Sequence, residues 1–203
     1  MDTPRLVGLL LAAGSAQRFG DNKLLQRLPD GELIIAASAR ALLAGTDHCI
    51  ALIRPGQPQL AQALAGLEVD IIEVANAHEG MGSTLASGIR AARAAMPEPA
   101  KAWLVALGDM PCLKPGTVRA LASALREGAD IVAPFHAGRR GHPVGFAARW
   151  GDALGALQGD AGARDILREH AQNIVRVPVD DPGCLLDIDT PADLLALNTG
   201  QPT

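Results

Sequence analysis

The sequence predicts an α/β sandwich around a mostly parallel sheet, and three observations carry that prediction. Short apolar runs such as Leu6 to Ala12 and Trp103 to Leu107 are continuous rather than alternating, as in strands buried on both faces. Segments of helical pattern alternate with these runs along the chain. Hydrophobic residues make up 48% of the chain and aromatic ones 2%, with no tyrosine, so the core is aliphatic.

The elements follow in order. Leu6 to Ala12 is the first strand, and a polar, glycine-bearing segment from Gly14 to Lys23 leaves it. Leu33 to Leu43 reads as a helix ending near Gly45. His48 to Ile53 is the second strand, Pro55 to Pro58 a turn, Gln59 to Leu67 a helix, and Val69 to Val74 the third strand. After a loop from Asn76 to Gly82, Ser83 is placed to cap a helix reaching about Ala95. Trp103 to Leu107 is strand four, followed by a helix from about Gly116 to Glu127 and a short strand from Ile131 to Ala133. His136 to Phe146 reads as a polar loop entering a strand. Short helical pieces near Arg149 to Leu157 and Gly162 to His170 precede a late strand, Ile174 to Val179. Cys184 to Asp189 is a last apolar-acidic stretch. Thr190 caps a closing helix to Leu197, with Pro191 in its first turn. The 203 residues are expected to form one domain over 1–203, with an elaboration at about 134–160.

Composition excludes several classes of function. Eighteen Lys and Arg against 22 Asp and Glu give a net charge of -4 without a basic stripe, so nucleic acid is not an expected partner. That balance leaves room for a small anionic ligand held by a few local bases. The three cysteines, Cys49, Cys112 and Cys184, form no CxxC pair and no disulfide framework. The first apolar run is too short to span a membrane, and its flanks are not those of a signal peptide, so the expected location is cytoplasmic. Histidines and cysteines lack zinc-ligand spacing, and no G-x-S-x-G elbow is present.

Open α/β sheets bind ligands at the carboxyl ends of their strands, where three polar clusters fall. The first follows strand one: Ala12, Ala13, Gly14 and Ser15, then Arg18 and Lys23. Amide hydrogens of such a turn cradle phosphate oxygens, and the two bases add positive charge; an ordinary βα turn with solvated bases is the alternative. Gly20 is followed by Asp21 rather than lysine, so this is not a Walker A loop, and G-x-G-x-x-G is absent. Asp109 ends strand four, where a carboxylate holds magnesium or merely caps a turn. Asp187 and Asp189 form the third cluster. Alternate positions on a strand would point both at one ion, unless Asp189 caps the Pro191 helix. The loop Asn76 to Ser83, through Gly80 and Gly82, can bring backbone groups to a nucleobase edge. Arg139 to Pro143 can receive an anionic acceptor or form a solvated basic loop, and its adjacent arginines cannot both point inward.

These motifs together resemble the nucleotidyltransferases of the molybdenum-cofactor type, MobA-like NTP transferases within the glycosyltransferase-A-like class. The family pattern L-A-[AG]-G-x-S-x-R-x-G-x-x-K is matched at Leu11 to Lys23, with Ala16 in place of the usual serine. Asn76 with Gly80 to Ser83 resembles the family's base-reading loop, and Gly108 to Pro111 its magnesium motif. Arg140-Gly141-His142-Pro143-Val144 and Asp187-Ile188-Asp189-Thr190-Pro191 resemble two later motifs. All stand in family order along nearly the whole chain.

The resemblance implies a three-layer, Rossmann-like nucleotidyltransferase fold and a magnesium-dependent enzyme. By resemblance it transfers CMP from CTP to the terminal phosphate of molybdopterin and releases pyrophosphate. It assigns Arg18, Lys23 and Asp109 to catalysis, and Asp109 with Asp189 to Mg2+. Ala12, Ala13, Gly14, Ser15, Asn76, Gly80, Gly82 and Ser83 fall to the nucleotide; Arg140, His142 and Asp187 fall to the acceptor. Ala12-Ala13-Gly14 and Arg140 to Pro143 look like the cytidylyl branch, since the guanylyl branch usually has Ala-Gly-Gly. The alternatives are guanylyl transfer to the same acceptor, cytidylyl transfer to an isoprenoid or sugar phosphate, and a non-catalytic nucleotide-sensing module. Expected partners are the nucleotide, an anionic pterin phosphate, and a molybdoenzyme or its chaperone, for a monomer or weak dimer.

Overall fold

The computed structural model describes residues 5–14, 23–96 and 98–199, with the side chains of 198 and 199 left aside. Its sheet contains β1 (Leu6–Leu11), β2 (His48–Ile53), β3 (Val69–Glu73), β4 (Ala102–Leu107), β5 (Ile131–His136), β6 (Arg139–Arg140), β7 (Val144–Ala147) and β8 (Ile174–Pro178). The order is β3-β2-β1-β4-β7-β5-β6, with β8 paired to β5. Strands β1 to β4 are parallel neighbours, and β8 runs parallel to β5. Only β6 and β7 run the other way: β7 lies antiparallel between β4 and β5, and β6 pairs antiparallel with the end of β5.

Strand alternation divides the core. Leu6 and Leu10 of β1, with Leu104 of β4, face α1 (Ile34–Leu43), α2 (Pro58–Leu64) and α4 (Pro115–Arg126). Val7 and Leu9, with Trp103 and Val105, face α3 (Met81–Ala95), α5 (Gly151–Gly155) and α6 (Arg164–Glu169). The closing helix α7 (Pro191–Thr199) lays Leu194 and Leu197 on the α1 side. Leu6, Val7, Leu9 and Leu10 are each at most 1% exposed, which explains the uninterrupted apolar run in the sequence. Truncating any of these leucines to alanine costs about 2–5 kcal/mol.

Three local expectations are corrected. Gly80, not Ser83, stands at the N-cap of α3, and the Ser83 hydroxyl accepts a hydrogen bond from the Gly159 amide at 3.1 Å. Residues 186–189 are not a strand, so alternation does not set the directions of Asp187 and Asp189. The stretch from His136, read as a polar loop entering a strand, is partly ordered: β5 extends to His136 rather than ending at Ala133, β6 pairs back on it, and the strand entered is β7. No helix among the described residues is long and apolar enough to cross a membrane.

Candidate active site

The site stands where β1 and β4 end together. Their register runs from Leu6 opposite Ala102 to Leu11 opposite Leu107, so both chains leave the sheet at the same height. The Gly108 amide donates to the Leu11 carbonyl at 2.9 Å, holding the two departing turns side by side. Ala12 and Ala13 are 2% and 3% exposed; Ala12 packs into the α1 face and Ala13 into the α3 face. Ala13, Gly14 and Asp109 border one cleft of about 610 Å³. Ser15 and Arg18 lie outside the described residues.

Lys23 joins the two clusters predicted at this edge. Its Nζ donates to Asp109 Oδ2 at 2.7 Å and to Asp189 Oδ1 at 2.9 Å. The side chains of Lys23 and Asp109 are 15% and 20% exposed, whereas that of Asp189 is 52% exposed. Burial acts to lower the lysine pKa, but the hydrogen bonds and charges of Asp109 and then Asp189 prevail, and the ammonium is held above its ordinary value. Asp187 borders the same cleft. Its pKa is raised, first by burial and further by the charges of Asp189 and Asp109, against the opposing effects of its own hydrogen bonding and Lys23.

The Asp109 carboxylate carries a further sign of an absent partner. Its Oδ1 is buried and has no hydrogen-bond partner among the described residues, a costly condition for a carboxylate oxygen. A magnesium ion fits this donor set, because it is commonly held by one or two carboxylates with substrate phosphates and water completing the shell. Among the described residues no group of three or more His, Cys, Asp or Glu forms a self-sufficient cage. Asp109 and Asp189 together match a site of the shared kind.

The late motifs reach this edge through one short segment. Asp181, 1% exposed, accepts from the Lys114 amide at 2.9 Å, the Thr117 hydroxyl at 2.6 Å and the Gly183 amide at 3.0 Å. It thereby ties the start of 182–189 to the N-terminus of α4. From there the Cys184 carbonyl accepts from the His142 amide at 2.8 Å, and the Ile188 amide donates to the Asp109 carbonyl at 2.9 Å. A Cβ on Gly141 would stand 2.2 Å from the Cys184 oxygen, so this approach needs glycine. Thr190 and Asp193 cap α7 reciprocally, the Thr190 amide donating to Asp193 Oδ2 at 2.7 Å and Thr190 Oγ1 accepting from the Asp193 amide at 3.3 Å. The Asp189 side chain is therefore not the cap.

The expected base-reading loop is divided. Gly80 borders the central cleft, at φ +118°, where a Cβ would stand 2.2 Å from Asp160 Oδ1. Asn76 and Ser83 border a different hollow, beside Glu79 and Arg90. The Asn76 amide group is engaged locally, donating to Glu79 Oε2 and accepting from the Ser87 hydroxyl. The Gly82 amide is taken by the Gly159 carbonyl at 2.7 Å. The segment around Gly159 thus covers the first turn of α3.

Arg140 and His142 line a smaller cavity next to the cleft, while Arg139 does not, as alternation along β6 requires. Burial, and then the charge of Arg140, lowers the His142 pKa, with Asp109 opposing them. Three bordering residues had no signal in the sequence. Arg54, past the end of β2, donates through Nε to the Ala13 carbonyl at 2.7 Å. Asp160 borders the cleft from the segment over α3, and Arg164 lines the cavity from α6. Strand-end position was the one usable clue, and it applies only to Arg54.

A mixed sheet with helices on both faces and a polar cleft past β1 and β4 defines a Rossmann-like nucleotidyltransferase fold. The chain belongs to the MobA-like NTP transferase family, whose domain profile matches residues 8–174. It is 31% identical over 197 residues to nicotine blue oxidoreductase of Paenarthrobacter nicotinovorans, covering 93% of this chain and 94% of that protein. It is 31% identical over 202 residues to the purine catabolism protein PucB of Bacillus subtilis (strain 168), covering 95% and 96%. The crystal structure of Rv0371c from Mycobacterium tuberculosis H37Rv superposes with a TM-score of 0.82 at 26% identity, covering 98% of this chain and 100% of that one. Fold and family support an enzyme of the nucleotidyltransferase type.

Proposed function

We propose that this chain transfers CMP from CTP to the terminal phosphate of molybdopterin, releasing pyrophosphate. The observation that carries the reading is the Lys23–Asp109–Asp189 cluster at the joint end of β1 and β4, with Asp109 Oδ1 buried and unpartnered. A phosphate oxygen of the acceptor bonds to the α-phosphorus of CTP as the bond to the pyrophosphate oxygen breaks in line. The acceptor is already an anion, so the chain's task is alignment and charge neutralisation rather than strong base catalysis. Asp109 and Asp189 would hold Mg2+, which when bound neutralises phosphate charge. The Lys23 ammonium stands at the same place and supplies positive charge to the triphosphate. Arg18 and Ser15, by resemblance, continue that contact from the turn after β1. By resemblance, Arg140 and His142, which line the adjoining cavity, and Asp187, which borders the cleft, would serve the acceptor.

The preference for CTP follows from Ala13. By resemblance, its Cβ would narrow the floor beneath the base, and Arg54 Nε holds the Ala13 carbonyl at 2.7 Å. A pyrimidine needs less room there than a purine. The test is pyrophosphate release with each NTP in turn and molybdopterin as acceptor, with the product identified by mass. CTP should give the highest kcat/KM and a cytosine dinucleotide product. Preferential guanine dinucleotide formation would overturn the cytidylyl reading. Reduction of a dye substrate with no pyrophosphate release would place the chain with its relative named as an oxidoreductase.

A further inference from the structure

Beside the cleft lies a cavity of about 240 Å³, which shares Leu11, Met81 and Leu107 with it. Its inner wall is formed by Leu85, Val105, Phe146 and Leu167, all buried. Three polar side chains border it: Arg140, His142 and Arg164. His142 Nδ1 is buried and has no hydrogen-bond partner among the described residues. Neither arginine is in an ion pair among the described residues, whereas Arg93, Arg126, Arg149 and Arg168 each are. An apolar hollow with an orphaned imidazole nitrogen and two uncompensated guanidiniums is complementary to an anion with an apolar body.

Size limits that body. An apolar cavity of about 150 Å³ is enough for benzene, and drug-sized ligands occupy about 300 Å³ or more. We infer that this cavity is an acceptor subsite for a compact apolar body, one aromatic ring or a short branched chain, bearing a single anionic group. Arg164 joins Arg140 in holding the anion. The inference rests on reading the neighbouring cleft as the nucleotide site. The polar edge of a pterin has more donors and acceptors than His142 satisfies, and burying it here would leave groups unpaired.

The test uses phenyl phosphate and inorganic phosphate as probes of the full chain. Isothermal titration should show phenyl phosphate binding at least tenfold tighter than inorganic phosphate, both with and without saturating CTP. Nuclear Overhauser contacts should connect its ring protons to the methyl groups of Leu85, Val105 and Leu167. Arg164→Ala should weaken phenyl phosphate at least fivefold and leave CTP affinity unchanged. Equal affinity for the two probes, displacement of phenyl phosphate by CTP, or absent methyl contacts would each overturn the subsite. If phenyl phosphate binds as expected but no nucleotide yields pyrophosphate with any phosphate acceptor, the nucleotidyl-transfer reading falls and the acceptor role falls with it. If transfer to molybdopterin proceeds and phenyl phosphate does not bind, only the subsite falls.

Discussion

Lys23 stands where a cation would stand, and this makes a prediction of unusual sign. Its ammonium is 2.7 Å from Asp109 Oδ2 and 2.9 Å from Asp189 Oδ1. A divalent ion held by the same two carboxylate oxygens would compete with Lys23 for this place, whereas one on the unpartnered Asp109 Oδ1 would leave it in place. The bond to Asp109 is largely shielded, and a hydrogen bond to a charged group contributes about 1.5–3 kcal/mol. The bond to the half-exposed Asp189 adds about 0–1 kcal/mol. Lys23→Met removes this competitor and should tighten divalent-ion binding without nucleotide by about 1.5–4 kcal/mol, roughly tenfold to several hundredfold. Repulsion between the displaced ammonium and the ion acts in the same direction. Turnover should move the opposite way, because on the proposed function the variant would also lose a positive charge at the triphosphate.

Titration with Mn2+, followed by the paramagnetic signal of the free ion, measures the effect on wild type, Lys23→Met and the double variant Lys23→Met/Asp109→Asn. The single variant should bind tighter than wild type, and the double variant should lose the gain. Equal affinity in wild type and Lys23→Met would refute competition for one place. Tight binding retained by the double variant would locate the ion away from Asp109.

Three further outcomes are expected. Asp181→Ala strands the Lys114 and Gly183 amides and the Thr117 hydroxyl, so urea unfolding should show a loss of about 2–4 kcal/mol with an unchanged m-value. The Cys49 thiol is pushed up to about 12 by burial, with the Asp70 charge adding to it, so it should resist iodoacetamide at pH 8 and react only on unfolding; rapid native labelling would contradict its burial. Ala13→Gly should lower the preference for CTP over GTP by about tenfold in direct competition, the scale of a small steric change in a base pocket, and an unchanged ratio would remove Ala13 from base selection.

What the sequence made legible was set by burial and by chain locality. β1, β2 and β4 are nearly covered on both faces, so their apolar runs had no competing interpretation. The insertion of β7 between β4 and β5 was not legible, because antiparallel pairing with two strands distant in sequence leaves no local pattern in Val144 to Ala147. Asp109 was legible as a strand-end carboxylate. The division of the Asn76 to Ser83 loop was not, because it depends on Gly159 taking the Gly82 amide from far along the chain. Arg54, Asp160 and Arg164 belong to no motif; the folded chain alone assembles them.

The same nonlocality explains why motifs separated by most of the chain act as one site. Residues 181–189 bond in turn to the start of α4 through Asp181, to the His142 amide through Cys184, and to the Asp109 carbonyl through Ile188. The turn before β7 and the strand-end carboxylate are therefore both bonded to one covalent segment, in addition to the β4–β7 pairing that joins Val144 to Val105. Two of these links are backbone bonds and are insensitive to side-chain replacement, while the Asp181 carboxylate anchors the whole run. A substitution at Asp181 thus displaces His142 and Asp109 together, although it touches neither. Its effect on acceptor KM and on cation affinity should be correlated, which independent placement of the two residues would not produce.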